Sequence, residues 1–250
     1  MKLVQNTLNF GCDCLVKMAP QAFVDSLRRN HYELVAREFN RAYLYDWKDA
    51  RIPHRLESFE DLAPLFELSP ISRGLIRQDL DEAAALFKTV SRMTNPVGLE
   101  IGRFNGGSTL LLAVAVGSGG KLVSIDIAPQ DDVQLHRILQ QRHLADRVEL
   151  VVGDANEIDR PEQFDFVFID GDHTYQAAKR DHNRWGRRVK EGGYIIHHDM
   201  ANSRCLSTQW SDLAQLRADI LAKQRDEMEL VDEAGSMSIF KKRNGSWKEI

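Results

Sequence analysis

The chain has 250 residues and a net charge of −4, with 43% hydrophobic and 28% charged residues. These proportions are typical of a globular protein with one large domain, or one domain with a helical extension. The acidic balance disfavours a nucleic-acid partner, and no apolar run is long enough for a membrane span. We expect a cytoplasmic protein, because the N-terminal residues lack the apolar core of a signal peptide and three cysteines are too few for a disulfide framework.

The first 75 residues differ in pattern from the rest of the chain. Apolar residues at helical spacing predict a helix over Ala22–Tyr45, and prolines interrupt the segments that follow it. We expect residues 1–75 to form a helical N-terminal extension, for which a role as a substrate lid is one interpretation. Residues 76–250 would form the main domain, which begins with a helix over Ile76–Met93.

Predicted strands and helices alternate from residue 97 onward. The predicted strands are Val97–Glu100, Lys121–Asp126, Arg147–Gly153, Phe164–Asp170, Tyr194–His198, Glu229–Asp232 and Ser236–Lys241. The predicted helices begin at Ser108 or span Asp131–His143, Tyr175–Val189 and Arg204–Arg225. This alternation predicts a mostly parallel sheet with helices on both faces, and the two closely spaced last strands predict an antiparallel addition at its edge.

A glycine-rich turn lies between the first of these strands and the helix that follows it. Its sequence, Glu100-Ile-Gly102-Arg-Phe-Asn-Gly106-Gly-Ser108, differs from the G-x-G-x-x-G of dinucleotide-binding turns. Glycines let the backbone approach a ligand closely, and the amides at the start of the helix would face that ligand. The acidic Glu100 favours a ligand that carries an ammonium or hydroxyl groups over one that carries phosphates.

Acidic residues stand at the ends of five consecutive predicted strands: Glu100, Asp126, Asp154, Asp170 and Asp199. Ligands of open α/β sheets bind outside the carboxyl ends of the strands, so this row predicts a site for a polar, cation-bearing ligand. For Asp126 and Asp154, a helix cap in the following loop is the alternative interpretation.

The glycine-rich turn and the row of acids resemble the cofactor site of the class I S-adenosylmethionine-dependent methyltransferases. The resemblance covers roughly residues 75–241. It implies an α/β, Rossmann-like fold with a seven-stranded, mostly parallel sheet and an antiparallel last strand. It also implies a set of residues that bind S-adenosylmethionine: Glu100, Gly102, Gly106, Ser108, Asp126, Asp154, Ala155 and Asp170.

The same resemblance gives these residues separate roles. Glu100 and Gly102 would lie near the methionine moiety, where Ser108 would donate to the cofactor carboxylate. Asp126 would accept hydrogen bonds from the ribose hydroxyls. Asp154 would receive the adenine amino group.

Two later stretches carry candidate catalytic groups. Asp170-Gly-Asp-His173 follows the fourth strand and His198-Asp199 follows the fifth, so these groups should converge at the sheet edge. Two carboxylates and an imidazole suit a divalent ion such as Mg²⁺ or Mn²⁺, which predicts Asp170, His198 and Asp199 as metal ligands. Asp170 and His173 are the predicted catalytic residues. His173 would act as the general base on a substrate hydroxyl, with a capping or core role as the alternative.

These two stretches are similar to a branch of metal-dependent class I O-methyltransferases that includes macrolide-sugar and rhamnosyl O-methyltransferases and cephalosporin hydroxylase-like enzymes. In that branch an acid-x-x-His follows the fourth strand and a pair of ligands follows the fifth. Asp170, His173 and Asp199 match this pattern, whereas His198 stands where an acid is often found. The resemblance implies methyl transfer to a hydroxyl of a sugar or similar small metabolite, often by an oligomer.

Two other functions stay open from the sequence. The missing G-x-G-x-x-G disfavours an NAD-dependent oxidoreductase. The presence of Asp170, His173 and Asp199 disfavours a non-catalytic cofactor-binding protein. Methyl transfer to nucleic acid or protein is disfavoured because no N-P-P-Y-type tetrapeptide follows the fourth strand.

Two further predictions concern polar residues outside this site. His197 should have a structural role, because side chains alternate along a strand and it points away from the side of His198. Asp181 and His182 lie among basic residues of a predicted helix, which indicates a solvated helix face.

Overall fold

A seven-stranded sheet runs through the computed structural model, which describes residues 52–66, 74–200 and 211–250. The strands are β1 (Val97–Ile101), β2 (Lys121–Asp126), β3 (Val148–Val152), β4 (Phe164–Ile169), β5 (Val189–His197), β6 (Met228–Ala234) and β7 (Met237–Lys242). Their spatial order is β3-β2-β1-β4-β5-β7-β6. The first five strands are parallel, and β7 is antiparallel to both β5 and β6. The predicted seven-stranded, mostly parallel α/β sheet is confirmed.

The strand order reverses at β1. Glu100 in this strand lies opposite Ser124 of β2 on one side and opposite Phe168 of β4 on the other. The chain therefore leaves β1 toward one edge of the sheet and later returns to its other side. In sheets of this kind, the crevice outside the carboxyl ends of the strands at such a reversal is where ligands bind.

Helices cover both faces of the sheet, as the alternating pattern predicts. Those of the described residues are α1 (Leu80–Ser91), α2 (Gly107–Ala115), α3 (Asp132–Gln141), α4 (Tyr175–Gly186) and α5 (Ser211–Lys223), with short 3-10 turns at Glu60–Leu65 and Ala145–Arg147. One apolar core contains residues of α1, α2 and α3, and a second contains residues of α4 and α5. Every residue of α2 is buried, which accounts for its almost uniformly apolar sequence.

The described residues N-terminal to α1 also contribute to the first core. Leu56, Leu62 and Leu65 pack there with residues of α1 and α2. The predicted helix over Ala22–Tyr45 lies outside the described residues, so the lid role of residues 1–75 stays a prediction. None of the described helices is long and apolar enough to cross a membrane.

The fifth strand begins earlier than predicted. β5 starts at Val189 and not at Tyr194, because Val189 pairs with Phe164 before a register shift at which β5 has extra residues relative to β4. The preceding helix accordingly ends at Gly186, three residues before the end that the sequence pattern predicts. A bulge of this kind depends on the neighbouring strand, so the local pattern does not reveal it.

The first helix begins later than predicted, at Leu80 and not at Ile76. Asp79 and Glu82 form a reciprocal capping box in which the backbone N–H of Asp79 donates to Glu82 Oε2 at 2.8 Å. This motif fixes the start of the helix, with Asp79 as its N-cap.

Candidate active site

The carboxyl ends of the five parallel strands form one continuous edge. Backbone hydrogen bonds with N···O distances of 2.9 to 3.1 Å continue the pairing beyond the strands, from Gly102 to Ile125, Gly153 to Asp126, Asp170 to Ile101 and His198 to Ile169. The acids predicted as a ligand site therefore lie in a row, in the spatial order Asp154, Asp126, Glu100, Asp170 and Asp199.

The glycine turn between β1 and α2 fits closely against its neighbours. Gly102 and Gly106 have φ values of 86° and 81°, which side chains disfavour. A Cβ atom at Gly102 would lie 2.2 Å from the carbonyl oxygen of Asp170, and one at Gly106 would lie 2.5 Å from Leu135 Cδ2. Both positions therefore require glycine for conformation and for space.

Glu100 lies buried beneath this turn, and the Ser108 side chain faces it. The hydroxyls of Thr109 and Ser124 donate to Glu100 Oε2 at 2.6 and 2.5 Å. Burial raises the pKa of Glu100. Its second oxygen, Oε1, accepts no hydrogen bond from the described residues. A buried acceptor without a donor fits a cofactor that brings an ammonium or hydroxyl group.

Asp126 fastens the glycine turn to the end of β2. Its Oδ2 accepts the backbone N–H groups of Arg103 and Phe104, both at 2.8 Å, and its Oδ1 accepts that of Ala128 at 2.7 Å. It is not a helix cap, because Asp131 caps α3. A carboxylate has about four acceptor positions, so Asp126 retains capacity for a ribose hydroxyl.

Arg103 also holds this turn in place, although the sequence-based prediction does not include it. Its buried guanidinium donates to the carbonyl oxygens of Ser124 and Val151, both at 2.8 Å, and to the carboxylate of Asp132. These bonds join the turn to β2, β3 and α3, and they pair a charge that would otherwise be costly to bury. No local sequence pattern signals this role, because the two carbonyl acceptors lie 21 and 48 residues away.

Asp126→Ala is expected to weaken binding of S-adenosylhomocysteine by about 10- to 100-fold, because charge-assisted bonds to the ribose are lost. The loss of three backbone partners should also lower the free energy of unfolding by roughly 2 kcal/mol. Calorimetric titration and chemical denaturation measure the two effects. Asp146→Ala, at an exposed acid, is the matched control, and unchanged affinity in Asp126→Ala would exclude the ribose role.

Asp154 and Ala155 begin the loop after β3. Asp154 Oδ1 accepts the backbone N–H of Asn156 at 2.8 Å, which forms an Asx turn. The Asn156 side chain in turn donates to Asp181 Oδ1 of α4 at 2.6 Å. Asp181 is buried, and burial raises its pKa to about 6. The prediction that it lies on a solvated face is wrong, because it anchors this loop.

Ile127 is an apolar residue of the same edge that the sequence-based prediction does not include. It directly follows Asp126, and 70% of its surface is exposed. Exposed apolar surface at the end of β2 suits one face of a flat aromatic ring. The sequence signal is the apolar residue immediately after the acid that ends β2.

Four side chains meet beyond the ends of β4 and β5. His173 Nε2 lies 3.5 Å from Asp170 Oδ1 and 3.3 Å from Asp199 Oδ2. His198 Nδ1 lies 3.2 Å from each of the same two oxygens. Two ring nitrogens and two carboxylate oxygens thus alternate around one small space. The backbone of Asp199 adopts a φ of 61°, a strained conformation of the kind found at functional sites.

Charges within this cluster stabilise one another. Burial favours a higher pKa for Asp170, but the charge of His198 and the hydrogen bonds of both histidines hold that pKa well below its usual range. The bond to Asp170 raises the pKa of His173. Burial disfavours a charged His198, but Asp170, Asp199 and Glu82 raise its pKa well above the usual value. The cluster therefore combines charged carboxylates with strongly basic imidazoles.

These atoms fit a divalent cation. Ligand atoms of Asp170, His173 and Asp199 lie within 4.8 Å of one another, and His198 Nδ1 contacts two of them. Carboxylate oxygens and imidazole nitrogens gathered at such distances can share one metal ion. Of the three predicted ligands, Asp170 and Asp199 belong to this group. Its third member is His173, which the sequence pattern assigns to proton transfer, whereas the predicted ligand His198 lies beside the group.

Residues from other parts of the chain hold this cluster in place. Gln78 Nε2 donates to Asp170 Oδ2 at 3.0 Å, and His198 Nε2 lies 3.0 Å from Glu82 Oε2. Burial favours a higher pKa for Glu82, but the bond and charge of His198 lower it to about 2. Neither Gln78 nor Glu82 is among the predicted site residues. The capping-box spacing from Asp79 is the sequence signal for Glu82.

His197 contacts residues on the opposite face of the sheet from this cluster. Its Nε2 lies 2.9 Å from His182 Nδ1, and His182 Nε2 lies 2.7 Å from Gln224 Oε1. Burial lowers the pKa of His182 to about 4 and that of His197 well below its usual value. The prediction of a solvated His182 is wrong, because its ring is fully buried between His197 and Trp247.

Comparison with known proteins relates this site to a family. Residues 99–200 match a family described as a methyltransferase domain. The chain is 36% identical over 102 residues to catechol O-methyltransferase of Mycobacterium tuberculosis, across 39% of this chain and 44% of that protein. It is 27% identical over 161 residues to caffeoyl-CoA O-methyltransferase 1 of Eucalyptus globulus, across 59% of this chain and 65% of that protein. The chain thus spans less than two thirds of either relative.

A solved structure shares the fold. The O-methyltransferase of Bacillus cereus, in complex with SAH (S-adenosylhomocysteine), superposes with a TM-score of 0.53 at 19% sequence identity. The match covers 84% of this chain and 90% of that chain. At this identity the likeness establishes the common sheet architecture.

Proposed function

Because residues 99–200 form a methyltransferase domain of the class I S-adenosylmethionine-dependent family, we propose that the chain transfers a methyl group to a hydroxyl of a sugar or similar small metabolite. The observation that carries this proposal is the convergence of Asp170, His173, His198 and Asp199 directly beside the glycine turn. The O-methyltransferase names of the two relatives support oxygen as the acceptor atom.

S-adenosylmethionine would supply an electrophilic methyl group on its sulfonium. Asp126 would bind the ribose, and the unpaired Glu100 Oε1 would accept a hydrogen bond from the cofactor. Gly102 and Gly106 keep the turn free of side chains, so that backbone and cofactor can approach closely. Ile127 would provide an apolar surface for the adenine ring. The loop of Asp154 would provide polar groups for the same ring.

The residues beyond β4 and β5 would prepare the acceptor. Asp170, His198 and Asp199 would hold a divalent ion that lowers the pKa of the bound hydroxyl, and the imidazole nitrogen favours Mn²⁺ over Mg²⁺. His173 Nε2 takes the hydroxyl proton as the carbon–oxygen bond forms and the carbon–sulfur bond breaks. S-adenosylhomocysteine leaves as a neutral thioether.

Ligand protection tests the proposal. S-adenosylhomocysteine should raise the thermal unfolding temperature of the full chain, and NADH should not. Release of S-adenosylhomocysteine in the presence of Mn²⁺ and a panel of sugars, catechols and related hydroxyl compounds then identifies the acceptor. Protection by NADH alone would favour an oxidoreductase, and binding without turnover across the panel would favour a non-catalytic protein.

His173→Ala is expected to lower kcat by about a hundredfold or more, because the hydroxyl then has no base, while affinity for S-adenosylhomocysteine stays the same. His136→Ala, on the exposed face of α3, is the control. Steady-state kinetics and calorimetric titration provide the two readouts. Full activity in His173→Ala would remove the base assignment, and a loss of Mn²⁺ affinity would make His173 a ligand instead.

A further inference from the structure

We propose that Glu82 is a positioning residue that fixes the ring of His198, so that Nδ1 faces the two carboxylates of the active site. This inference rests on the proposed function, in which His198 is a metal ligand. Glu82 belongs to α1, outside both stretches that carry the catalytic groups.

The contacts of His198 differ at its two ring nitrogens. Nε2 lies 3.0 Å from Glu82 Oε2, whereas Nδ1 lies 3.2 Å from Asp170 Oδ1 and from Asp199 Oδ2. A carboxylate only accepts hydrogen bonds, so Glu82 keeps a proton on Nε2. Asp170 and Asp199 favour a second proton on Nδ1 in the same way, so Nδ1 is the nitrogen that would exchange its proton for a metal ion, as in other carboxylate–histidine–metal arrangements.

Glu82 is itself held firmly. Its Oε1 accepts the backbone N–H and the hydroxyl of Ser236, both at 2.7 Å, and its Oε2 accepts the backbone N–H of Asp79 at 2.8 Å. The residue is only 4% exposed. With these bonds and the one to His198, both oxygens are used, and the carboxylate has no freedom to turn away from the ring.

The turn between β6 and β7 is shaped to reach this carboxylate. Gly235 has a φ of 56°, and a Cβ atom there would lie 2.4 Å from Glu82 Oε1. The hydroxyl of the next residue, Ser236, also lies 3.1 Å from Asp199 Oδ1, so its one proton is shared between Glu82 and Asp199. The turn therefore braces Glu82 and Asp199 together, one on each side of His198.

The simpler interpretation is that Glu82 only completes the capping box of α1. That role needs one carboxylate oxygen at the helix start. It explains the bond from Asp79 but not the burial, the bonds from Ser236 or the contact with His198. The two roles predict different effects of replacing Glu82 by Gln. The amide of Gln keeps one acceptor oxygen but loses the charge.

Glu82→Gln in the full chain tests the inference through Mn²⁺ affinity. Calorimetric titration of the metal-free protein with Mn²⁺ should show a Kd raised by about 10- to 100-fold, the usual effect of losing such a partner. Heteronuclear NMR of the imidazole nitrogens in the Mg²⁺-loaded wild type should show a single form of His198, with its proton on Nε2. In Glu82→Gln the same signals should show a mixture of tautomers.

Controls separate this effect from folding and from cofactor binding. Glu149→Gln removes the charge of a surface carboxylate that pairs with Arg160, and it should leave Mn²⁺ affinity unchanged. If Glu82→Gln fails to fold, Ser236→Ala removes the hydroxyl that Glu82 and Asp199 share and should raise the Kd for Mn²⁺ by about 2- to 10-fold.

Three outcomes would overturn the inference: a wild type that binds no Mn²⁺, unchanged Mn²⁺ affinity in Glu82→Gln, and an unchanged His198 tautomer. Failure of the proposed function would give a different experimental result. A wild type that binds no S-adenosylhomocysteine would contradict the methyl-transfer proposal, while the His198 signals would still report on Glu82.

Discussion

Methyl transfer by the Asp170→Asn variant is expected to fall by about a thousandfold or more in kcat/KM, since general base and metal site both depend on this carboxylate. Asp170 Oδ1 lies against His173 and His198, and its Oδ2 accepts from Gln78. An amide of the same size has one acceptor oxygen and no charge. It cannot hold both imidazoles and also accept the Gln78 bond.

The control lies two residues away. Asp172 accepts the backbone N–H of Thr174 at 2.8 Å, a bond that Asn can also accept. Asp172→Asn should therefore keep its activity in an assay of S-adenosylhomocysteine release. An active Asp170→Asn enzyme with normal Mn²⁺ affinity would show that methyl transfer takes place elsewhere on the chain.

The largest expected effect on stability concerns the buried pair of His182 and His197. Both have pKa values below the ordinary 6.5, so the unfolded chain binds protons that the folded chain does not. The contribution of the pair is complete above pH 6.5 and is lost as the pH falls, and for His182 this loss extends to about pH 4. For His182 alone this shift corresponds to roughly 3 kcal/mol of unfolding free energy.

Other charged groups near the pair have to be separated from this effect. Asp181 has a raised pKa of about 6 and acts in the opposite direction, because its contribution is lost as the pH rises. The Lys242 ammonium lies over the ring of Trp247, which packs on His182. Chemical denaturation at a series of pH values should show a smaller loss in His182→Gln than in the wild type. If the free energy of unfolding depends on pH in the same way in both proteins, the assignment of this effect to His182 is contradicted.

The sequence predicts the sheet and the row of acids because both depend on local patterns. Alternating strands and helices place each strand end at the same edge, which is enough to bring Asp126, Asp170 and Asp199 into line. The burial of His182 is not predictable in this way. Its helix carries basic residues, and the partners that satisfy its ring, His197 and Gln224, come from β5 and from the end of α5.

The supporting residues of the site are missed for a related reason. Glu82 is 116 residues from His198 and 154 residues from Ser236, and Arg103 is 48 residues from Val151. A periodic pattern reports which face of an element is buried, but it does not report which distant polar group meets a given side chain. These partners become visible only when the β6–β7 turn and α1 are brought to the same edge.

The contact between Gly102 and the backbone of Asp170 has a consequence for redesign. No space for even a methyl group separates the loop that would carry the nucleoside from the strand end that would carry the acceptor chemistry. A substitution at Gly102 intended to change only the preferred nucleoside would push on the backbone of Asp170, the residue that carries the reactive carboxylate. Variants with a new cosubstrate should therefore be sought at outlying positions such as Ile127, where a larger or smaller side chain meets open solvent.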